Sequence, residues 1–224
     1  MGFDGPTRDL GEERATDASG AALDLYWIPL GAGNRTVQLS GRTFESLAAR
    51  HDRRTPCDLY HSALVATLGS DRYFIEMTPV PSPARAVADR GVVGGGAVGT
   101  RWAAPLRIFR YEIRCWRNGL IPDLQHAVDG PVELTRDEPL VRAVVDAVPS
   151  VPTPTWGRDE LRAGEMWNSN SVVSWLLAVT GLALNAGEPP PHGRAPGWHA
   201  GITIATRRKE TREPATGHTP TDHR

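Results

Sequence analysis

The chain of 224 residues is short of cysteine, of net charge and of long apolar runs, and each shortage excludes a class of protein. Two cysteines, Cys57 and Cys115, are too few for a disulfide framework or a four-thiolate zinc site. A reduced, cytoplasmic chain is the simpler expectation. With 25 basic and 26 acidic side chains the formal charge is -1, so no long-range field draws the whole chain to nucleic acid or to an anionic membrane. No apolar run approaches the roughly 20 residues of a membrane-crossing helix. Residues Met1 to Asp9 lack the basic-then-apolar order of an export signal, and Pro6 stands where a myristoylation motif needs Ser or Thr. The seven histidines show no i, i+4 pair of the helical zinc type, so neither metal nor cofactor is assigned. No internal repeat is visible, and the length fits one domain with appendages.

What is present alternates between strand and helix signals. Residues 1–22 are polar without an apolar period and read as a disordered lead-in; residues 207–224 read as a disordered charged tail. Between them, residues 23–206 read as a single α+β domain with an antiparallel sheet packed against a few helices. Leu23 to Leu30 reads as a strand, and Ser40 as the cap of a helix carrying Phe44, Leu47 and Ala48. The clearest hairpin runs from Leu59 to Leu68, through Gly69-Ser70-Asp71, and back along Arg72 to Thr78. Residues 79–105, rich in Pro and Gly, read as a long loop. Leu106 to Trp116 alternates Phe109, Tyr111, Ile113 and Cys115 with Arg110, Glu112 and Arg114, which predicts a strand with one buried and one wet face. Thr135 is expected to cap a helix with Pro139 in its first turn and a Leu140, Val141, Val144, Val145, Val148 stripe. Ile202-Thr203-Ile204 reads as a last short strand.

The chemistry concentrates at Trp167-Asn168-Ser169-Asn170-Ser171, which runs straight into the apolar helical pattern Val172, Val173, Leu176, Leu177. Ser169 falls on the buried edge of the first turn, where free backbone N–H groups and the positive end of the helix dipole suit a developing oxyanion. Asn and Ser at that place equally serve as plain helix caps. His61 shares a strand face with Ala63, Val65 and Thr67. An odd residue sum in the hairpin register brings Glu76 to that same face, opposite or diagonal to His61, where a carboxylate would orient the imidazole; an even sum removes it.

The segments Tyr60-His61-Ser62-Ala63-Leu64, Arg72-Tyr73-Phe74-Ile75-Glu76 and Asn168-Ser169-Asn170-Ser171-Val172 are similar, in that order, to the Tyr/Trp-His-Thr-Gly-Val strand, Glu-Tyr-x-Phe strand and Asn-Cys-Asn-x-Phe helix start of PPPDE-type isopeptidases. Over roughly residues 57–180 the chain thus resembles the circularly permuted papain-like hydrolases, which include relatives of lecithin retinol acyltransferase and NlpC-like peptidases. The resemblance implies a permuted papain-like fold with catalytic Ser169, His61 and Glu76, and with Asn168 and Asn170 at the oxyanion-binding helix start. Ser169 stands where that family has cysteine. A serine hydroxyl is a far weaker acid than a thiol and needs a base acting during attack.

Two expectations follow. One is a hydrolase or acyltransferase acting on an amide or ester bond of a small-molecule, peptide or acyl substrate, with His61 as base. The other is a catalytically inactive papain-like binding or protein-interaction module. Four other signals are read as passive. Gly94-Gly95-Gly96-Ala97-Val98-Gly99 matches Gly-x-Gly-x-x-Gly but no helix pattern follows, so it reads as a surface loop or a lid over the His61 face. Cys115 reads as inert packing, and Arg107, Arg110 and Arg114 as a solvated face neutralised by Glu112, or as a receiver for an acidic substrate group. Trp156, Trp167, Trp175 and Trp198 read as core, or as the frame of a cleft.

Overall fold

The computed structural model describes residues 20–31, 50, 53, 55–80, 89–183 and 189–212. Six strands form one sheet: β1 (Ala21–Pro29), β2 (Asp58–Leu68), β3 (Asp71–Pro79), β4 (Val92–Ala97), β5 (Arg110–Arg117) and β6 (Val132–Thr135). Their order is β4-β5-β3-β2-β1-β6, with every neighbour antiparallel. A two-residue strand, β7 (Gly193–Arg194), lies parallel to the start of β2. Three helices are described: α1 (Glu138–Ala147), α2 (Ser169–Val179) and α3 (Trp198–Arg212). The architecture is α+β, as read. No helix among the described residues is long and apolar enough to cross a membrane.

The alternation of side chains along each strand divides the sheet into two faces. On one face Leu23, Leu25 and Trp27 of β1, Tyr60, Leu64 and Ala66 of β2, and Ile75 and Met77 of β3 join Tyr111 and Ile113 of β5. Val141 and Val144 of α1 and Val172, Val173, Leu176 and Leu177 of α2 close this core. Each such side chain taken from water contributes about 1.5–3 kcal/mol. On the other face a smaller cluster holds Ile28, Ala63, Val65 and Phe74 under Ile121, with Leu124 and Ala127 packed against it. The turn Pro122–His126 therefore covers part of the second face. The hairpin pairs Leu68 with Asp71, so Gly69-Ser70 alone make the turn and Asp71 belongs to β3. Its register, Leu64 with Ile75 and Val65 with Phe74, has the odd sum. One step further along, Glu76 falls beside Ala63, diagonal to His61.

Several expectations change. Ile202-Thr203-Ile204 lies within α3, which also absorbs residues 207–212 of the expected tail. The β-branched spacing gives way to packing: Ala200, Gly201 and Ala205 are small enough for α3 to lie close on α2. A Cβ at Gly201 would collide with Ser174 Oγ and Ser171 O. Residues 79–105 are not one loop, because the glycine run pairs with β5 as β4; it forms a sheet strand, not a lid. The strand expected from Leu106 begins at Arg110, after a 3-10 turn over Arg107–Phe109. Asp137, not Thr135, caps α1: its carboxylate accepts from Leu140 N at 3.4 Å, while Thr135 ends β6 and accepts from Asp137 N at 3.1 Å. β1 starts at Ala21 within the expected lead-in. The helix expected after Ser40 lies outside the described residues, as do residues 1–19 and 213–224.

Candidate functional site

The start of α2 is built as a capping box. Asn168 Oδ1 accepts from Asn170 N at 2.9 Å and Ser171 N at 3.3 Å, and Ser171 Oγ accepts from Asn168 N at 3.1 Å. Side chains here also hold the turn at Pro196-Gly197. Ser171 Oγ donates to Gly197 O at 2.8 Å, and Asn168 Nδ2 donates to Pro196 O at 2.8 Å. Gly197 has φ +84°, and a Cβ there would stand 2.6 Å from Asn168 Oδ1, so glycine answers both the backbone twist and the close approach.

Asn170 is the residue that faces β2. Its Oδ1 accepts from Ser62 Oγ at 2.9 Å, and its Nδ2 donates to Tyr60 O at 3.0 Å and Pro196 O at 2.9 Å. Asn170 and Ser62 are 2% and 1% exposed, so this pair works without water. Both amide atoms of Asn170 are spent on holding sheet, helix and the 195–198 turn together. Ser169 occupies the first helical position and is buried at 6% exposure.

His61 does not meet this helix start. Tyr60, Leu64 and Ala66 point into the core with α2, and Ser62 bonds Asn170. His61 has the opposite parity and shares its face with Ala63 and Val65, beside Ile28 of β1. The expected Ser169/His61 pair is therefore separated by the sheet, since adjacent strand residues point to opposite sides. Of the expected residues, His61 and Glu76 share the second face by strand parity, and the charge that acts on both is that of Asp123.

Those two residues open a half-buried ionisable row along the second face. Cross-strand register sets Glu76 opposite Arg114 and Thr78 opposite Glu112. Arg114 Nη1 donates to Glu76 Oε1 at 3.0 Å, while its Nε and Nη2 donate to Glu112 Oε2 at 3.1 and 3.0 Å. Arg90 adds bonds to both oxygens of Glu112, at 3.2 and 2.8 Å. Glu112 thus takes four charge-assisted bonds; burial pushes its carboxyl up, but these bonds outweigh it and hold the group below the usual carboxylate range. Glu76 receives one. Burial raises its pKa against the single pull of Arg114, and the charges of Asp123 and Glu112 add to the rise. Burial lowers the His61 pKa, with Asp123 opposing it. Both groups are pushed toward their neutral forms, which suits proton exchange rather than charge pairing.

The remaining candidates are structural. Arg114 is 8% exposed and bonded on both sides, so the row is no solvated face. Cys115 has its thiol pushed up to about 11 by burial, which leaves it unreactive at neutral pH. Trp167 and Trp175 are core residues; Trp198 packs on Trp27 at 5.0 Å, and Trp156 meets Tyr111 edge-on at 5.9 Å, so the tryptophans fill space rather than frame a cleft. Among the described residues no cluster of His, Cys, Asp and Glu could hold a metal ion. A shallow groove of about 470 Å³ lies between Gly99, Thr100 and Arg158. Of its two acids, Glu160 is committed to Arg101 at 2.8 Å and to Thr155 Oγ1 at 2.8 Å, which hold it at about 2, and Asp159 accepts from Ala163 N and Gly164 N at 2.6 and 2.9 Å.

Sequence reasoning missed Ser62, Arg90 and Asp123. The signal for Ser62 was its even parity with Tyr60 and Leu64, the apolar side of the hairpin. Arg90 and Asp123 gave none, because neither lies on a strand of the row. No family model, no curated protein and no solved structure matches the chain.

Proposed function

We propose that this chain is a catalytically silent binding or protein-interaction module that keeps a papain-like order of elements, a strand hairpin followed by a polar helix start. One observation carries the reading: the side chain that α2 turns toward β2 is Asn170, an amide without a nucleophilic atom, and its partner is the Ser62 hydroxyl at 2.9 Å rather than an imidazole. A serine nucleophile needs a base within hydrogen-bond reach, and His61 lies across the sheet from Ser169. Recognition then falls to the second face, where Glu112, Arg90 and Arg114 offer fixed charges beside Glu76 and His61, the two groups pushed toward their neutral forms. We place the protein in the cytoplasm, on two cysteines, Cys57 and Cys115, that form no disulfide.

Labelling with a fluorophosphonate probe separates this reading from a Ser169/His61 hydrolase or acyltransferase. The expected result is no labelling that depends on Ser169, with wild type and Ser169→Ala indistinguishable. In Ser169→Cys any acidity of the new thiol is expected to come from the helix start alone, so its alkylation rate is expected to be unchanged by His61→Ala. Labelling lost in Ser169→Ala, or a Ser169→Cys thiol whose reactivity falls on His61→Ala, overturns the proposal.

A further inference from the structure

The loop that joins β4 to β5, residues 98–109, exposes more large apolar side chains than any other described segment. Trp102 is 82% exposed, Ile108 79%, Leu106 57% and Phe109 41%. They stand on two 3-10 turns, Arg101–Ala103 and Arg107–Phe109. A cluster of this kind on a chain of ordinary composition marks a contact surface, since scattered single apolar residues are the rule elsewhere. The loop's base is firmly tied: Val98 N donates to Phe109 O at 2.8 Å, Gly99 N to Trp156 O at 2.9 Å, and Arg158 Nε to Gly99 O at 2.7 Å. The apolar tip is thus held out on a braced hairpin.

Charge indicates the partner. Arg107 and Arg110 interleave with the apolar residues, while Arg101 is paired with Glu160 at 2.8 Å; no Asp or Glu occurs between Arg90 and Tyr111 although the whole chain has a net charge of -1. An indole, aliphatic side chains and a phenyl ring flanked by guanidinium groups match the layering of a lipid interface, where rings and alkyl groups enter the headgroup boundary and cations meet phosphates. A hairpin tip reaches that depth while the sheet behind it stays in water. We propose that this loop is a peripheral membrane-docking surface, which places Trp102, Leu106, Ile108 and Phe109 in the interface of an anionic bilayer with Arg107 and Arg110 at the lipid phosphates. The proposal does not depend on the helix-start reading, for it uses none of the residues His61, Ser62, Ser169 or Asn170.

Co-sedimentation of the full chain with phosphatidylcholine vesicles, with and without phosphatidylserine, tests it. Binding is expected to phosphatidylserine vesicles at low salt and to weaken as ionic strength rises through the screening range. Trp102→Ala with Ile108→Asp is expected to lower the vesicle partition coefficient by about tenfold or more, through lost apolar burial. Arg107→Glu with Arg110→Glu is expected to remove most of the salt dependence. Both pairs are surface changes, and unaltered thermal unfolding shows that the fold is intact. Three results overturn the proposal: no binding at low salt, binding indifferent to both variant pairs, or self-association or capture of a protein partner that the apolar pair abolishes while no vesicle binding occurs.

Discussion

Asn170 makes three side-chain hydrogen bonds, two to β2 at Ser62 and Tyr60 and one to the turn at Pro196, and all would be lost at once on truncation. Removing it leaves Ser62 Oγ and the carbonyls of Tyr60 and Pro196 buried without that partner, which costs about 1–3 kcal/mol for each group stranded. Asn170→Ala is expected to destabilise by about 2–4 kcal/mol and Ser62→Ala by about 1 kcal/mol, with positive coupling in the double variant, measured by urea unfolding. Near-zero coupling would show that the pair is not the tie described. His61 gives a pH signature. Its folded pKa lies below the ordinary value of 6.5, so the unfolded chain binds the proton more readily. Its contribution to stability is therefore full above about 6.5 and declines as pH falls toward the depressed folded value. Glu76 acts in the opposite sense: its raised carboxyl makes acidification toward 4.5 relieve a cost rather than add one. NMR titration is expected to find the His61 pKa below 6.5, and Asp123→Asn is expected to lower it further, because Asp123 is the charge that opposes desolvation. A His61 that titrates above 6.5 contradicts the burial argument.

At the scale of elements, α2 and α3 were unequally legible. Asn168, Ser171 and the apolar run announce a capped helix, and α2 begins where they place it. Ile202-Thr203-Ile204 suggested a strand because β-branched residues favour a pleated surface. The helix wins through packing that no local window contains: Ser174 Oγ donates to Trp198 O at 2.7 Å, and Gly201 touches the α2 backbone. Gly201→Ala adds a methyl group where backbone and hydroxyl already stand, so the helices must part. A loss of about 1–3 kcal/mol is expected by thermal or chemical unfolding, despite the gain in helix propensity. A stabilised variant would refute the close packing. The hairpin was legible for the converse reason: its two strands and its Gly69-Ser70 turn are contiguous, so pattern and turn chemistry agree. β4 was hidden because Gly94, Gly95 and Gly96 carry no strand signal of their own; their place beside Tyr111 and Glu112 comes from β5.

For the whole molecule, the sheet is a partition. It sends the polar helix start to one side and the row of Glu76, Arg114, Glu112 and Arg90 to the other, with His61 on the side of the row. The chain's order alone specified the strands around the hairpin and the asparagine cap of α2, since each arises from contacts among residues near in sequence; the odd register that sets Glu76 on the face of His61 came with the two-residue Gly69-Ser70 turn of the folded hairpin. Strand parity also implied that His61 and Ser62 point apart. Which of the two meets α2 depended on where a helix about a hundred residues downstream docks. That was settled by the burial of Val172, Val173, Leu176 and Leu177 against the larger apolar face. A one-residue change of parity moves a side chain across the sheet at no cost to the local pattern. The candidate chemistry therefore passed from a serine and a histidine to an amide and a hydroxyl through long-range packing.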